Sequence, residues 1–381
     1  MVLQRTTGVL VSTSAGGESC LAFVPHPLPP TSPDLNCVPL LRAISSADRA
    51  IGRLDGMATL LPDTTLFVYF YVRKEAVLSS AIEGTQSTLT DLLEHEGGLG
   101  APTDDVGLVS NYVAAMNHGL RRMRDDNFPL SLRLIREMHQ ILLKGGRGGD
   151  KQPGKFRSAQ NWIGGRKPSE AAHVPPPPNH LDEVLGKLER FLHDSDFPPL
   201  VTAALVHAQF ETIHPFLDGN GRIGRLLITL YLCKAGVLRE PSLYLSLYFK
   251  QHRQEYYDRL SAIREGDWEG WISFFLTGVE ATAAAATELG RTMQEMFKEH
   301  CALLKGRGDF GTREALAIQV LDAMRQQPIA TVRSVAKITG RSEPTIRRVM
   351  TDLEALDLLR ETTQRTRGRV YAYAPYLKAM A

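Results

Sequence analysis

The chain has 381 residues, 43% of them apolar and 23% charged, with a formal net charge of +2. That length supports two or three domains with cores of their own, and that balance excludes a disordered or fibrous chain and gives no general cationic coat for nucleic acid. The charge is uneven, because residues 309–381 hold 12 Lys/Arg against 8 Asp/Glu, a local +4 that leaves −2 for the rest.

No apolar run reaches the roughly 18–20 residues of a membrane-spanning helix, and the N-terminus lacks the sustained apolar segment of a signal peptide. The four cysteines (Cys20, Cys37, Cys233, Cys301) are scattered, without paired spacing for zinc or a redox couple. A cytoplasmic location with no membrane partner is expected.

Residues 1–36 mix glycine, serine and proline and end in Pro25-His-Pro-Leu-Pro-Pro30, which predicts an arm lying over a neighbouring surface. From Val38 the pattern turns helical, with Leu40, Leu41, Ile44, Ala47, Ile51 and Leu54 on one face. Helices are predicted at about 66–82, stopped by Gly84, and at 89–95, ended by Gly97-Gly-Leu-Gly100. Two amphipathic stretches, about 109–124 and 132–143, precede a Gly- and Pro-rich segment over 145–180 with the rigid run Pro175-Pro-Pro-Pro178. A loop or hairpin of that length inside a helical domain is uncommon unless it has a task. Helices resume at about 181–194, 198–213, 220–236, 252–264 and 269–300, and Gly306-Arg-Gly308 marks a boundary. Beyond it come helices at 313–325 and 332–338, a turn at Gly340, a helix at 343–356 and a strand–turn–strand around Arg365-Thr-Arg-Gly-Arg369. Three regions follow: 1–100, 101–305 and 306–381.

The chemistry gathers in one segment. An apolar helix (Val201, Leu205, Phe210) runs into His214-Pro215, proline ends it, and a glycine-rich loop leads to a new helix near Asn220. A helix N-terminus after glycines presents free N–H groups and a partial positive charge, a ready anion site. Gly219 and Gly221 let the backbone approach a phosphate closely. Arg222 and Arg225, on the first turn, add guanidinium forks suited to phosphate oxygens. Asp218 would repel a phosphate but suits a magnesium ion that bridges phosphates. His214 can take a proton from an attacking hydroxyl at neutral pH. The set describes phosphoryl or nucleotidyl transfer, and it is no P-loop, because Gly-Lys-Ser/Thr does not follow the glycines. A plain helix–loop–helix turn accounts for any one of these residues but poorly for all of them together.

His214-Pro-Phe-Leu-Asp-Gly-Asn-Gly-Arg-Ile-Gly-Arg225 resembles the Fic-domain signature His-Pro-Phe-x-Asp/Glu-Gly-Asn-Gly/Lys-Arg-x-x-Arg at every specified position. The likeness extends through Gly154-Lys-Phe-Arg157 and Gln160-Asn-Trp-Ile-Gly-Gly165. It implies an all-α Fic core with a small β-hairpin flap, and transfer of AMP from ATP to Ser, Thr or Tyr hydroxyls of a target protein or of the chain itself, with release of pyrophosphate. By position, the resemblance makes His214 the base and Asp218 the Mg2+ ligand. Gly219, Asn220 and Gly221 become the anion hole, and Arg222 and Arg225 hold the β and γ phosphates.

Ser79-Ser-Ala-Ile-Glu83-Gly84 puts a carboxylate at a helix C-terminus, where the dipole disfavours it unless a cation such as Arg225 offsets it. The stretch resembles the Fic inhibitory motif Ser/Thr-x-x-x-Glu-Gly/Asn, matched by Ser79, Glu83 and Gly84, in which the glutamate pairs with the second signature arginine and blocks placement of the γ-phosphate. Residues 160–176 would be the flap, with Asn161, Ile163 and Val174 docking a target segment by main-chain bonds. His173 stands where relatives often carry an aromatic, and Trp162 reads as a core anchor. Tyr244-Leu-Ser246 and Tyr256-Tyr257 lie where the family encloses adenine, with Tyr256 or Tyr257 stacking on the base. His207 is expected to pack within its helix.

The C-terminal piece resembles a winged helix-turn-helix (α+β), with Arg347 and Arg348 on its second helix and Arg365, Arg367 and Arg369 at alternate positions of the wing, suited to DNA phosphates. Protein contact or simple packing are the competing roles. A homodimer is expected from family analogy alone. The alternatives to an autoinhibited protein adenylyltransferase are a Fic enzyme with another nucleotide donor or deAMPylase activity, and a DNA-binding regulator that senses nucleotide without turnover.

Overall fold

The computed structural model describes residues 5–31, 33–60, 64–98, 103–145, 148–306, 311, 313–363 and 368–380. The fold is mostly helical with two small antiparallel sheets. It opens on a hairpin, β1 (Gly8–Ala15) and β2 (Glu18–Pro25), paired from Gly8↔Pro25 to Ala15↔Glu18. The arm expected over 1–36 thus contains a paired hairpin, which lies against the helical body. Val9-Leu-Val11 and Leu21-Ala-Phe-Val24 suit a pleated surface, and Gly16 and Gly17 take the positive φ that a tight turn needs. The buried Arg5 guanidinium ties the hairpin down through Glu269 and the carbonyls of Pro33 and Gly266.

The helical body begins with α1 (Leu41–Leu60), which lies along the long α11 (Trp268–Gly306). Ile44, Ala47, Ile51 and Leu54 are buried as their spacing predicts, whereas Leu41 faces outward. Between these two helices in the chain come α2 (Thr64–Ile82), α3 (Leu89–Glu96), α4 (Asp104–Arg124), α5 (Leu132–Leu142), α6 (Leu181–Asp194), α7 (Pro199–Ile213), α8 (Asn220–Lys234), α9 (Ser246–Gln251) and α10 (Arg253–Ala262). The pair α7 and α8 forms the centre, packed on each other and buried along nearly their whole length. Thr88 and Asp91 close a capping box on α3, and Thr103 and Ser131 cap α4 and α5.

The C-terminal part contains α12 (Glu314–Gln326), β3 (Ile329–Thr331), α13 (Val332–Thr339), a left-handed turn at Gly340, α14 (Glu343–Glu354), β4 (Arg360–Glu361), β5 (Val370–Ala372) and α15 (Ala374–Met380). Its sheet order is β3-β5-β4. Arg365 and Arg367 lie outside the described residues. The hydrophobic core of this part takes in Phe70 of α2, Leu93 of α3 and Met293 and Leu304 of α11. No described helix is long and apolar enough to cross a membrane.

Candidate active site at the α7–α8 junction

Helix α7 stops because Pro215 has no N–H to continue the ladder. His214 takes the cap in the left-handed region (φ 49°, ψ 61°), its N–H bonded to Phe210 O. This backbone is uncommon for a residue with a Cβ and is often a mark of function. The loop is closed by Asn220, whose Oδ1 accepts from Phe216 N–H and whose Nδ2 donates to Phe216 O, both at 2.8 Å. Asn220 is therefore a structural clasp of the turn. Gly219 (φ 78°) turns the chain into α8, and its N–H donates to Asp218 Oδ1 at 2.7 Å.

Below the loop, His139 of α5 stacks on Phe216 with ring centroids 3.7 Å apart. Its Nε2 donates to Asp218 O at 2.9 Å and its Nδ1 accepts from Gly154 N–H at 2.8 Å, which fixes one neutral tautomer. Burial pushes this imidazole down to about 4, so it stays neutral. Sequence reasoning missed His139. Its signal was a histidine on the apolar face of α5, among the buried Leu134, Ile135, Met138 and Leu142.

The His214 imidazole lies with Nδ1 4.0 Å from Glu211 Oε2. Burial, reinforced by the charge of Arg157, pushes it down to about 4, so the ring is neutral and able to accept a proton at pH 7. Asp218 is 40% exposed, with Oδ1 3.5 Å from the nearly buried Arg222. One hard carboxylate beside the N-terminus of α8 is chemically suited to magnesium, whose remaining ligands would have to come from phosphates and water. Among the described residues no group of three or more His, Cys, Asp or Glu could hold an ion unaided. Arg222 Nε is buried without a hydrogen-bond partner among the described residues, a donor left for an anion.

The second arginine is already engaged. Arg225 donates to Glu83 Oε1 at 2.6 Å and to Ser79 Oγ at 2.8 Å and Ser79 O at 3.1 Å. Burial pushes the Glu83 carboxyl up, but the Arg225 charge and hydrogen bond, with Arg222 behind them, hold it below its usual range. Glu83 also reaches the N-terminus of α8, since a Cβ on Gly221 would stand 2.3 Å from Glu83 Oε1. Glycine at 221 is what makes this approach sterically possible. Gly84 (φ 98°) ends α2 directly after the carboxylate.

His214, Gly221, Glu83 and Arg225 face a common cavity of about 620 Å3, which Ile163, Trp162, Tyr256 and Tyr257 also line. Tyr256 is buried with its hydroxyl bonded to His207 Nε2 at 2.9 Å, so His207 links α7 to α10 instead of packing within its own helix. Tyr257 is 39% exposed and offers a ring at the rim. Tyr244 and Ser246 do not line the cavity. Tyr244 stacks on Tyr71 of α2, and Ser246 N and Oγ donate to the buried Glu75 of α2.

The flap is held by one bridge, Ile163↔His173, with N–H to O distances of 2.8 and 3.2 Å. The Asn161 side chain donates to Phe216 O at 3.2 Å, and Val174 is buried with its carbonyl accepting from Phe23 N–H of β2 at 2.9 Å. Of the three residues expected to face a target, Ile163 lines the cavity, while the Asn161 side chain and the Val174 carbonyl serve the loop and the hairpin. His173 is buried against Thr212 O at 2.8 Å, and Trp162, half-buried, forms part of the cavity wall.

Residues 41–121 match the Fic/DOC family N-terminal region and residues 129–232 match the Fic/DOC family itself. The chain carries a Fic/DOC domain. Among curated proteins it is similar to protein adenylyltransferase Fic of Aedes aegypti, at 32% identity over 54% of this chain and 39% of that protein. It is also similar to protein adenylyltransferase Fic of Drosophila melanogaster, at 35% over 40% of this chain and 29% of that one. The chain thus spans about two fifths or less of the length of these relatives. The Fic fold is shared with a Fic family protein of Desulfovibrio desulfuricans G20, with TM-score 0.55 and 21% identity over 87% of this chain and 95% of the other. Fic-1 of C. elegans aligns with TM-score 0.50 and 25% identity, covering 67% and 75%.

Proposed function

We propose that the chain is an autoinhibited protein adenylyltransferase. The observation that carries the reading is a neutral His214 and a phosphate nest at the start of α8 opening onto one cavity, with Glu83 lying across the nest on Arg225. ATP would lie with its β and γ phosphates on the N–H groups of Asn220 and Gly221 and on Arg222 and Arg225, and the Gly219 N–H, which donates to Asp218 Oδ1, would join them once that carboxylate turns to the metal. Asp218 would hold Mg2+, which neutralises phosphate charge when bound. A target segment would dock at the Ile163 side of the flap and present a hydroxyl. His214 takes the hydroxyl proton as the oxygen attacks the α-phosphorus. The bond from that phosphorus to the bridging oxygen breaks, pyrophosphate leaves, and AMP stays on the target. Tyr257 is the better placed of the two tyrosines to cover the base.

Glu83, Ser79 and Gly84 form the brake in this reading. The carboxylate occupies Arg225 and puts a negative charge where the γ-phosphate would arrive. We also read the chain as an N-terminal inhibitory region (1–100), a catalytic domain (101–305) and a winged-helix domain (306–381), in the cytoplasm.

The test uses ATP labelled on the α-phosphate. Glu83→Gly should label protein more than the wild type does, and adding His214→Ala should abolish it. Label persisting in the double variant removes His214 as the base, and label arriving only from γ-labelled ATP means kinase chemistry.

A second reading concerns residues 313–380. Arg341, Arg347 and Arg348 are exposed on and beside α14 and form no ion pair among the described residues, a distribution suited to the phosphates of a DNA duplex. Filter retention of a labelled duplex should be lost on removing residues 309–381, and equal retention without them excludes it.

A further inference from the structure

Arg157, from the segment Gly154-Lys-Phe-Arg157, is 2% exposed and has no carboxylate partner among the described residues. Its Nε donates to His214 O at 3.0 Å. One terminal nitrogen donates to Ala159 O at 3.3 Å, and the other to Pro176 O at 2.5 Å and Ile213 O at 3.4 Å. Its own N–H donates to Pro215 O at 2.9 Å. Burying a guanidinium with no counter-charge is strongly unfavourable, and carbonyl dipoles offset it only in part. Burial pushes its pKa down to about 10, which still leaves a cation at neutral pH.

The carbonyls it grips are not an arbitrary set. Ile213 ends α7, His214 and Pro215 form the left-handed turn, and Ala159 and Pro176 are the two roots of the flap. The Pro215 carbonyl is held by the Arg157 main chain, and the planar fork, with five donors in fixed directions, holds the other four at once, whereas a lysine ammonium cannot.

We propose that Arg157 is a positioning residue that joins the His214 turn and both flap roots into one rigid unit, so that the base and a hydroxyl docked on the flap keep a fixed separation. This rests on the adenylyl-transfer reading, since it concerns the same site. Small errors in such a separation reduce the rate steeply, while nucleotide binding, made elsewhere in the site, is left alone.

The test compares Arg157→Lys and Arg157→Met in the Glu83→Gly background. Both should lower kcat for AMP transfer by roughly a hundredfold while KM for ATP stays within about threefold. In the otherwise unaltered protein, the same substitutions should speed hydrogen exchange at the Ile163 and His173 amides by about tenfold or more. Loss of kcat and ATP affinity together, in step with a lowered Tm, would reduce Arg157 to a folding role. Unchanged flap exchange overturns the proposal whatever the activity shows. If the Glu83→Gly parent transfers no AMP, the adenylyl-transfer reading falls, and the exchange measurement still decides whether Arg157 couples the flap to the turn. Should Arg157→Met fail to fold, Arg157→Lys carries both readouts.

Discussion

At the scale of single residues the site is governed by who reaches Arg225. Its guanidinium is buried, and burial alone would weaken its charge, but Glu83 and Glu211 more than restore it. Glu83 is the partner at hydrogen-bond distance, and the Gly221 backbone leaves the space for it. Replacing Glu83 by glycine frees the cation for an incoming phosphate. We expect at least about a tenfold rise in the rate of α-label incorporation, the factor that ~1.4 kcal/mol of differential binding supplies. An unchanged or lower rate would show that the pair does not restrain the enzyme. His139 belongs to the same scale. It was legible only as a histidine on an apolar helix face, because its bond to the Asp218 carbonyl joins positions far apart in sequence.

At the scale of elements, α2 is the informative helix. Glu75, Ser79 and Glu83 recur every four residues and so share one face. That face meets Tyr112, Ser246 and Arg225 in turn. The buried Glu75 carboxyl is pushed up to about 7 by burial, against the hydrogen bonds from Ser246. Its folded pKa thus stands above its unfolded value near 4.3. Its contribution to stability is complete below that value and is lost as pH rises through about 7. Glu75→Gln removes this loss. The Tm of the variant should therefore improve relative to wild type between about pH 5 and pH 8, by the equivalent of on the order of 3 kcal/mol. A Tm difference that does not vary with pH would show that Glu75 does not titrate in the folded protein. The sequence revealed the ends of most long helices, since periodicity, Pro215, Gly84 and Gly340 punctuate them locally. It missed α9, α15 and the β1–β2 hairpin, because these short elements are held chiefly by what they touch.

At the scale of the whole molecule, α2 lies between two cores. Its inner face meets the Fic body, and Phe70 and Lys74 meet the C-terminal part. The Phe70 ring lies 5.6 Å from Tyr376 of α15, and Lys74 Nζ donates to Met380 O at 2.9 Å. The helix carrying Glu83 is thus braced by residues some three hundred positions further along the chain. Phe70→Ala should cost about 3–5 kcal/mol, read as a lower Tm. If the proposed brake operates, loosening α2 should raise labelling by the protein with Glu83 intact severalfold while adding little in the Glu83→Gly background. Equal effects in both backgrounds would mean that the C-terminal part braces the fold but not the brake.

The sequence by itself determined the helical class, the place of the His214–Arg225 motif between two helices and the order of most helices, because each is written in neighbouring residues: a period, a proline, a glycine, a carboxylate before a helix N-terminus. It also offered Arg225 as the partner of Glu83. Only the tertiary structure decided that Val174 is covered by β2 and that Tyr244 and Ser246 hold α2 instead of facing the cavity. Only there do Arg157 and His139 clamp the loop from outside it, and only there does α15 brace α2. These are contacts between segments distant along the chain, and their geometry is set by how whole elements pack, which no local pattern encodes.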